Sequence, residues 1–355
     1  MVDDILAAGD VGFGPRCLVT GGAGYLGTAL VRRLLELGLM VRSFDARAPD
    51  PIPAGLEHVS GDVRDADALC RAAEGIDTVF HTAAVISLLR IYPRRLRDEV
   101  MAINLGGTRN AIRACRSQGV RRLVYTSSHN IPIDREIVLG DESLPDARQF
   151  LDLYTETKAL AERAVLGADT AGGLRAAALR PAGLWGPGPE SVMVRSFLEQ
   201  LAGGRLAALP GDGTAEIDNT HVENLVDAEI LAAQGLADAP DRVGGEFYYI
   251  TDDEPGNGIE WFRPLAEGLG YPWPRRRVPG SLLYGIGSLL EWVHRLGGPV
   301  PDLTRSGVLK ITRTCTFRID KARRELGYTP RFQRANGMPA CIEASRGYAK
   351  DPTRS

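Results

Sequence analysis

A chain of 355 residues can bury a large core and hold one large domain plus a smaller one. Its charge is nearly balanced, 42 Lys+Arg against 45 Asp+Glu, which argues against a polyelectrolyte partner and so against nucleic acid. Five scattered cysteines without a C-x-x-C pair, and five scattered His, argue against a disulfide framework or any metal site and suit reduced thiols in a cytoplasmic protein.

Residues 1–15 carry acids and glycines without an apolar core and read as a flexible leader, not a signal peptide. No window of about eighteen apolar residues predicts a spanning helix. Cys17-Leu-Val-Thr20 then reads as a buried strand running into the turn Gly21-Gly-Ala-Gly24-Tyr25-Leu26-Gly27. Leu26, Leu30, Val31, Leu34 and Leu35 continue at helical spacing. In such a strand–turn–helix unit the first glycine permits the tight turn and the second lets a pyrophosphate approach the backbone. The third lets helix and strand pack closely, and the phosphates lie at the helix N-terminus. Leu39 to Asp45 reads as the second strand, and Asp45 closes it where an acid binds the adenosine ribose.

A Pro-rich loop at 48–53 leads to a third strand over 57–63, with Asp62 and Val63 at its C-terminal end. There they face ligand, or Asp62 is simply a turn or capping acid. A helix over 65–74 and a fourth strand over 77–84, containing Ala83, follow. Residues 85–100 form an Arg-rich insertion with Arg90, Arg94, Arg95 and Arg97, before a long helix over about 100–118. Arg121 to Ser128 is the fifth strand and ends in two hydroxyls; a loop of about 25 residues comes next.

Tyr154-Thr-Glu-Thr-Lys158 opens a helix that runs to about Leu166. Four residues apart, Tyr154 and Lys158 share one helix face. A phenol is a poor base near neutral pH, but a neighbouring ammonium and a nicotinamide cation favour its phenolate. With ten Tyr and four Lys in the chain, a chance pair at this spacing is rare. Leu174 to Pro181 is the sixth strand, and the chain departs from the nucleotide domain at Trp185–Pro189. Helices over 193–206 and 220–236, and a strand over 245–250, precede a smaller helical cap. The domains are therefore 16–184 with 220–252 returning, a cap from 185–219 and 253–340, and a tail over 341–355. Within the cap, Leu282, Leu283, Ile286, Leu289, Leu290 and Val293 recur at helical spacing between Arg275–Arg277 and Arg295. The pattern reads either as a core-packing amphipathic helix, its commoner use, or as a lid or membrane-surface helix near 282–296.

On Thr20–Gly27, Tyr154-x-x-x-Lys158 and the Ser-ending strand, the chain resembles an extended short-chain dehydrogenase/reductase from Arg16 to Phe332. His221–Val226, Tyr249–Pro255 and Thr316–Pro330 are similar to the 3β-hydroxysteroid dehydrogenase branch, sterol-4α-carboxylate 3-dehydrogenases included. The resemblance implies an α/β Rossmann-type doubly wound parallel sheet with a smaller, mostly helical C-terminal substrate cap. It implies Tyr154 as acid or base on the substrate oxygen, Lys158 lowering its pKa and holding the nicotinamide ribose, and Ser128, ahead of Ser127, bonding the reacting oxygen. Gly21, Gly24, Tyr25, Leu26 and Gly27 then cradle the cofactor, Asp45 takes its ribose, Asp62 and Val63 border adenine, and Ala83 and Pro181 complete its site. Asp45 argues for NAD, while Arg47 keeps NADP open. The implied activity is interconversion of a secondary alcohol and a ketone on an apolar substrate, foremost a 3β-hydroxysteroid or 4-carboxysterol. The Arg-rich insertion either binds such a carboxylate or, as most basic loops do, is merely solvated. The alternatives are a long-chain β-keto acid reductase or nucleotide-sugar epimerase of the same fold, and a non-catalytic dinucleotide sensor. A homodimer is the default for the superfamily, and peripheral contact at the inner face of a membrane goes with the helix at 282–296.

Overall fold

The apolar run after Arg16 becomes the middle of a parallel sheet. In β1 (Arg16–Thr20), Cys17 and Val19 enter one core and Leu18 enters the other, as the period of two requires for a strand buried on both faces. This is seen in a computed structural model that describes residues 11–188 and 191–349. With β2 (Met40–Asp45), β3 (Leu56–Ser60), β4 (Thr78–His81), β5 (Arg122–Thr126), β6 (Arg175–Pro181) and β7 (Phe247–Ile250), β1 builds a seven-stranded sheet of order β7-β6-β5-β4-β1-β2-β3. Every pairing in it is parallel. The order reverses between β1 and β4, so the crevice beyond their C-terminal ends is the ligand position of such a sheet.

The principal helices, in chain order, are α1 (Tyr25–Glu36), α2 (Ala66–Ala72), α3 (Arg94–Met101), α4 (Gly107–Gln118), α5 (Leu153–Leu166), α6 (Val192–Ala202), α7 (Val222–Asp238), α8 (Arg263–Gly268), α9 (Gly280–Arg295), α10 (Arg305–Thr312), α11 (Asp320–Leu326) and α12 (Arg334–Ala349). Helices α1 and α7 cover one sheet face, with Leu30, Leu34, Val226 and Ile230 in its core. Helices α2, α4 and α5 cover the other through Leu69, Ala111, Cys115, Ala161 and Val165. A separate core of Trp185, Phe197, Leu201, Trp261, Phe262 and Met338 holds the cap together.

Several elements depart from the sequence reading. The leader lies outside the described residues up to position 10, and from Val11 on the chain is fixed to the fold. Phe13 is fully buried against Phe80, and its carbonyl accepts from Thr78 Oγ1 at 2.7 Å. The tail expected from 341 is, as far as Ala349, the second half of α12, which buries Cys341 and Ser345; residues 350–355 lie outside the described residues, as does Pro189 at the domain departure. Ile319, Ala322, Leu326 and Tyr328, expected in the cap, belong to the first sheet core, because α11 turns its apolar side back onto α7. The loop over 129–153 contains the strand Ile137–Gly140, paired in parallel with Cys315–Phe317.

The Arg-rich insertion is helical from Arg94, after Pro93, whose fixed φ suits a helix start. Helices α3 and α4 make one run, widened by a π-turn at Ala102–Gly106. There Asn104 accepts from Val85 N at 2.8 Å and donates to Val85 O and to Thr157 Oγ1 of α5, at 3.0 and 2.9 Å. The core reading of the helix at 282–296 does not hold. Only Gly287 and Glu291 of α9 are buried, while Leu282, Ile286, Leu289, Leu290, Trp292 and Val293 are exposed. Among the described residues, no helix is long and apolar enough to cross a membrane.

Candidate active site

The glycine turn is closed by backbone bonds: Gly21 N donates to Phe44 O at 2.8 Å, and Gly24 N donates to Gly21 O at 2.9 Å. Gly21 has φ +75°, a left-handed conformation that glycine adopts without cost. A Cβ there would lie 2.8 Å from the backbone of Ala83, so the turn and the end of β4 touch directly. No side chain caps α1 at Gly24 and no acid stands in its first turn, so the helix dipole there is not countered by a negative side chain. Tyr25 is half-buried and Leu26 is buried in the sheet core.

Asp45 sits at the C-terminal end of β2, its Oδ2 accepting from Ala23 N of the turn and its Oδ1 from Arg47 N, each at 3.1 Å. Arg47 is exposed. Asp62 lies two residues past the end of β3 and accepts from Arg64 N at 2.8 Å and Arg64 Nε at 2.9 Å. Its hydrogen bonds from the Arg64 side chain hold the carboxyl below its ordinary value. Asp65, not Asp62, caps α2. Val63 is buried against α4, where a Cβ on Gly107 would come 2.6 Å from its side chain. The insertion's Arg90 donates to Gln149 at 2.6 Å and Arg97 to Glu156 at 2.7 Å, while Arg94 is almost fully exposed.

At the end of β5, Ser127 N donates to Leu179 O at 2.7 Å and His129 N to Pro181 O at 3.0 Å, which lashes the two hydroxyls to β6 and sets Pro181 beside them. Both serines are buried; Ser128 Oγ accepts from Asn130 N at 3.3 Å. Asp152 caps α5 by accepting from Thr155 N at 2.8 Å, and so fixes the first turn, which carries Tyr154. Lys158 is buried, its Nζ donating to Thr126 O at 2.6 Å and lying 5.7 Å from the centre of the Tyr154 ring. The structure therefore ties Lys158, one turn from Tyr154, to the last residue of β5, immediately before Ser127 and Ser128, where the sequence reading had run the strand on to Ser128. Burial, followed by the charge of Asp152, holds the Tyr154 phenol above its ordinary value. Burial pulls Lys158 down to about 7 against the raising influence of Glu229 and Glu162.

The sequence reading missed three groups here. Glu229 of α7 lies fully buried behind β5 and accepts from Thr126 Oγ1 at 2.5 Å; burial pushes it up to about 7. Its signal was an acid set in the buried stripe of α7 beside Val226 and Ile230. Asp152 showed a capping pattern, an acid three residues before Thr155. Lys310, which donates to Asp152 Oδ2 at 2.8 Å from the cap, had no local signal.

These residues fit NAD. A side chain at Gly21 or Gly27 would fill the cradle, no side chain caps the helix N-terminus, and the Asp45 carboxylate stands against the turn at Ala23 N, where it can accept from a hydroxyl. The sequence model of the 3-beta hydroxysteroid dehydrogenase/isomerase family matches residues 18–279. A protein of Mycobacterium tuberculosis named 3 beta-hydroxysteroid dehydrogenase/Delta 5-->4-isomerase is 42% identical over 92% of this chain and 89% of its own length. A 3-beta-hydroxysteroid dehydrogenase of Mycolicibacterium neoaurum is 39% identical over 92% of this chain and 90% of its own. Among solved structures, MoeE5 in complex with UDP-glucose and NAD is 27% identical, with a TM-score of 0.72 over 94% of this chain and 99% of its own.

Proposed function

The chain belongs to the 3-beta hydroxysteroid dehydrogenase/isomerase family, and on that premise we propose that it is an NAD-dependent oxidoreductase interconverting a 3β-hydroxyl and a ketone on a sterol-like substrate, a 3β-hydroxysteroid or 4-carboxysterol. The observation that carries this reading is Lys158, 5.7 Å from the Tyr154 ring centre, bonded to Thr126 O at the end of β5, just before Ser127 and Ser128. When bound, NAD supplies the hydride acceptor for the carbinol carbon. Tyr154 accepts the hydroxyl proton in oxidation and returns it in reduction, as general base and acid. Ser128 donates a hydrogen bond to the same oxygen and orients it. Lys158, held by Thr126 O, stabilises the phenolate and binds the nicotinamide ribose. Gly21, Gly24 and Gly27 take the pyrophosphate, with Tyr25 and Leu26 along it. Asp45 takes the adenosine ribose with Arg47 at the rim, Asp62 and Val63 border adenine, and Ala83 and Pro181 close the pocket. A carboxyl at C4 would leave as CO2 after oxidation, because the new ketone accepts the electrons.

The test is NADH fluorescence with a 3β-hydroxysteroid, a 4α-carboxysterol, a long-chain β-hydroxy acid and UDP-glucose, each offered with NAD. Turnover of the sterols, with CO2 released from the carboxysterol alone, is expected. Turnover of only the fatty acid or the sugar would overturn the substrate assignment.

The exposed apolar face of α9 supports a lipid surface as the place where such a substrate is met. Leu282, Ile286, Leu289, Val293 and Leu296 form one solvent-facing stripe, and the exposed Arg275, Arg276 and Arg295 match anionic headgroups at its ends. Burying one leucine is worth about 2 kcal/mol. Leu289→Asp is therefore expected to weaken co-sedimentation with phosphatidylglycerol vesicles by at least about 30-fold. Unchanged binding by this variant would rule the helix out as the contact.

A further inference from the structure

The N-terminus of α5, where Tyr154 lies, is held both by the stretch before α3 and by the cap. Leu153 N and Tyr154 N donate to Leu89 O and Ser87 O of the stretch before α3, at 3.2 and 3.1 Å. Asp152 is buried and receives the cap on its second oxygen: Ser306 Oγ and Lys310 Nζ of α10 both donate to Oδ2, the lysine at 2.8 Å. Helix α10 is itself anchored, because the fully buried Glu291 of α9 accepts from Arg305 N and Arg305 Nη2, each at 2.9 Å. Glu291 also accepts from Ile91 N at 3.2 Å, so the two cap helices and the 87–91 stretch are tied at one carboxylate. Of only four lysines in the chain, one serves this contact from 158 residues away.

We propose that Lys310 is a positioning residue through which the cap governs Tyr154: by pairing with Asp152, it offsets part of that carboxylate's charge at the phenol two residues away. This rests on the assignment of Tyr154 as the proton acceptor. Burial raises Asp152, but the charge and hydrogen bond of Lys310, with those of Ser306 and Thr155 N, outweigh it and hold the carboxyl below its ordinary value. Asp152 in turn raises Tyr154 beyond the effect of burial. The other groups facing this corner are Tyr125 of β5, Lys158 of α5, His129 after β5 and the Arg97–Glu156 pair with Tyr92. Burial, and then Lys310, pull His129 down to about 4, so it adds no charge near neutral pH. Arg97 and Glu156 balance one another. The cation on Asp152 is thus supplied by the cap.

The experiment is the pH profile of 3β-hydroxysteroid oxidation by the full chain saturated with NAD. Oxidation requires an ionised Tyr154, so the rate rises with pH through an apparent midpoint. In Lys310→Met that midpoint is expected to move up by about one unit, which is about tenfold in rate below it, with NAD affinity unchanged. Lys310→Arg is expected to restore the midpoint. So is Asp152→Asn added to Lys310→Met, since Asn still caps the helix but carries no charge. A loss equal at every pH, or a midpoint that stays in place, would show a merely structural contact and overturn the proposal. Tyr154→Phe separates the two levels. If it keeps full turnover, the assignment of Tyr154 fails; if it loses turnover while Lys310→Met leaves the midpoint unmoved, only the role of Lys310 fails.

Discussion

Replacing Tyr154 by Phe is expected to lower turnover about 1,000-fold while NAD still binds with its normal affinity. The substitution removes one oxygen and nothing that the fold depends on. Asp152 still caps α5 through Thr155 N, and Lys158 still donates to Thr126 O. The ring keeps its volume, so the surrounding packing is unchanged. What is lost is the group that takes the hydroxyl proton while hydride leaves the same carbinol. Water cannot replace it well at the end of β5, where Ser127 and Ser128 are both buried. Initial rates of NADH formation, paired with quenching of protein fluorescence by NADH, separate the two effects. A variant that turns over within tenfold of the parent would remove Tyr154 from the mechanism.

Where side chain and partner lie close in the chain, the sequence disclosed the arrangement. Tyr154 and Lys158 are one helical turn apart, and Gly21, Gly24 and Gly27 occupy a single turn, so local geometry decided both. Strands β1, β4, β5 and β7 were legible for the same reason: each is an apolar run between breakers, and a strand buried on both faces needs no partner to announce it. The contacts that span the chain were not legible. Lys310 meets Asp152 and Glu229 meets Thr126 only after the cap and α7 have folded back on the sheet. Phe13 looked like part of a loose leader because its burial depends on Phe80, Thr78 and Arg122, all more than sixty residues on. Helix α9 misled in the opposite way. Its apolar spacing is that of a core helix, yet the side that enters the cap is made of Gly287 and Glu291, and the leucines face outward.

Gly27→Ala is expected to abolish measurable NAD binding, weakening it by more than about 100-fold, although it adds one methyl group inside a helix where alanine is the better former. A Cβ at this position would stand 2.0 Å from Gly21 O and 2.8 Å from Gly22 Cα, and both are backbone atoms. No side chain can swing aside to relieve that overlap. Gly21 is itself tied on both sides, its N–H to Phe44 O and its carbonyl to Gly24 N, so the turn yields only by letting go of β2 or of the start of α1. Either movement spoils the surface that would receive the pyrophosphate and displaces Ala23 N, the donor to Asp45 Oδ2. Overpacking of this kind costs about 1–3 kcal/mol in stability, which a domain of this size survives, so the variant should fold and fail to bind. Gly106→Ala is the matching control: it is also a helical glycine, but the nearest atom to its added Cβ is 3.8 Å away. Calorimetric titration of NAD into the two variants, alongside their melting curves, decides the matter. Equal affinity in Gly27→Ala and Gly106→Ala would mean that the phosphates do not sit on this turn.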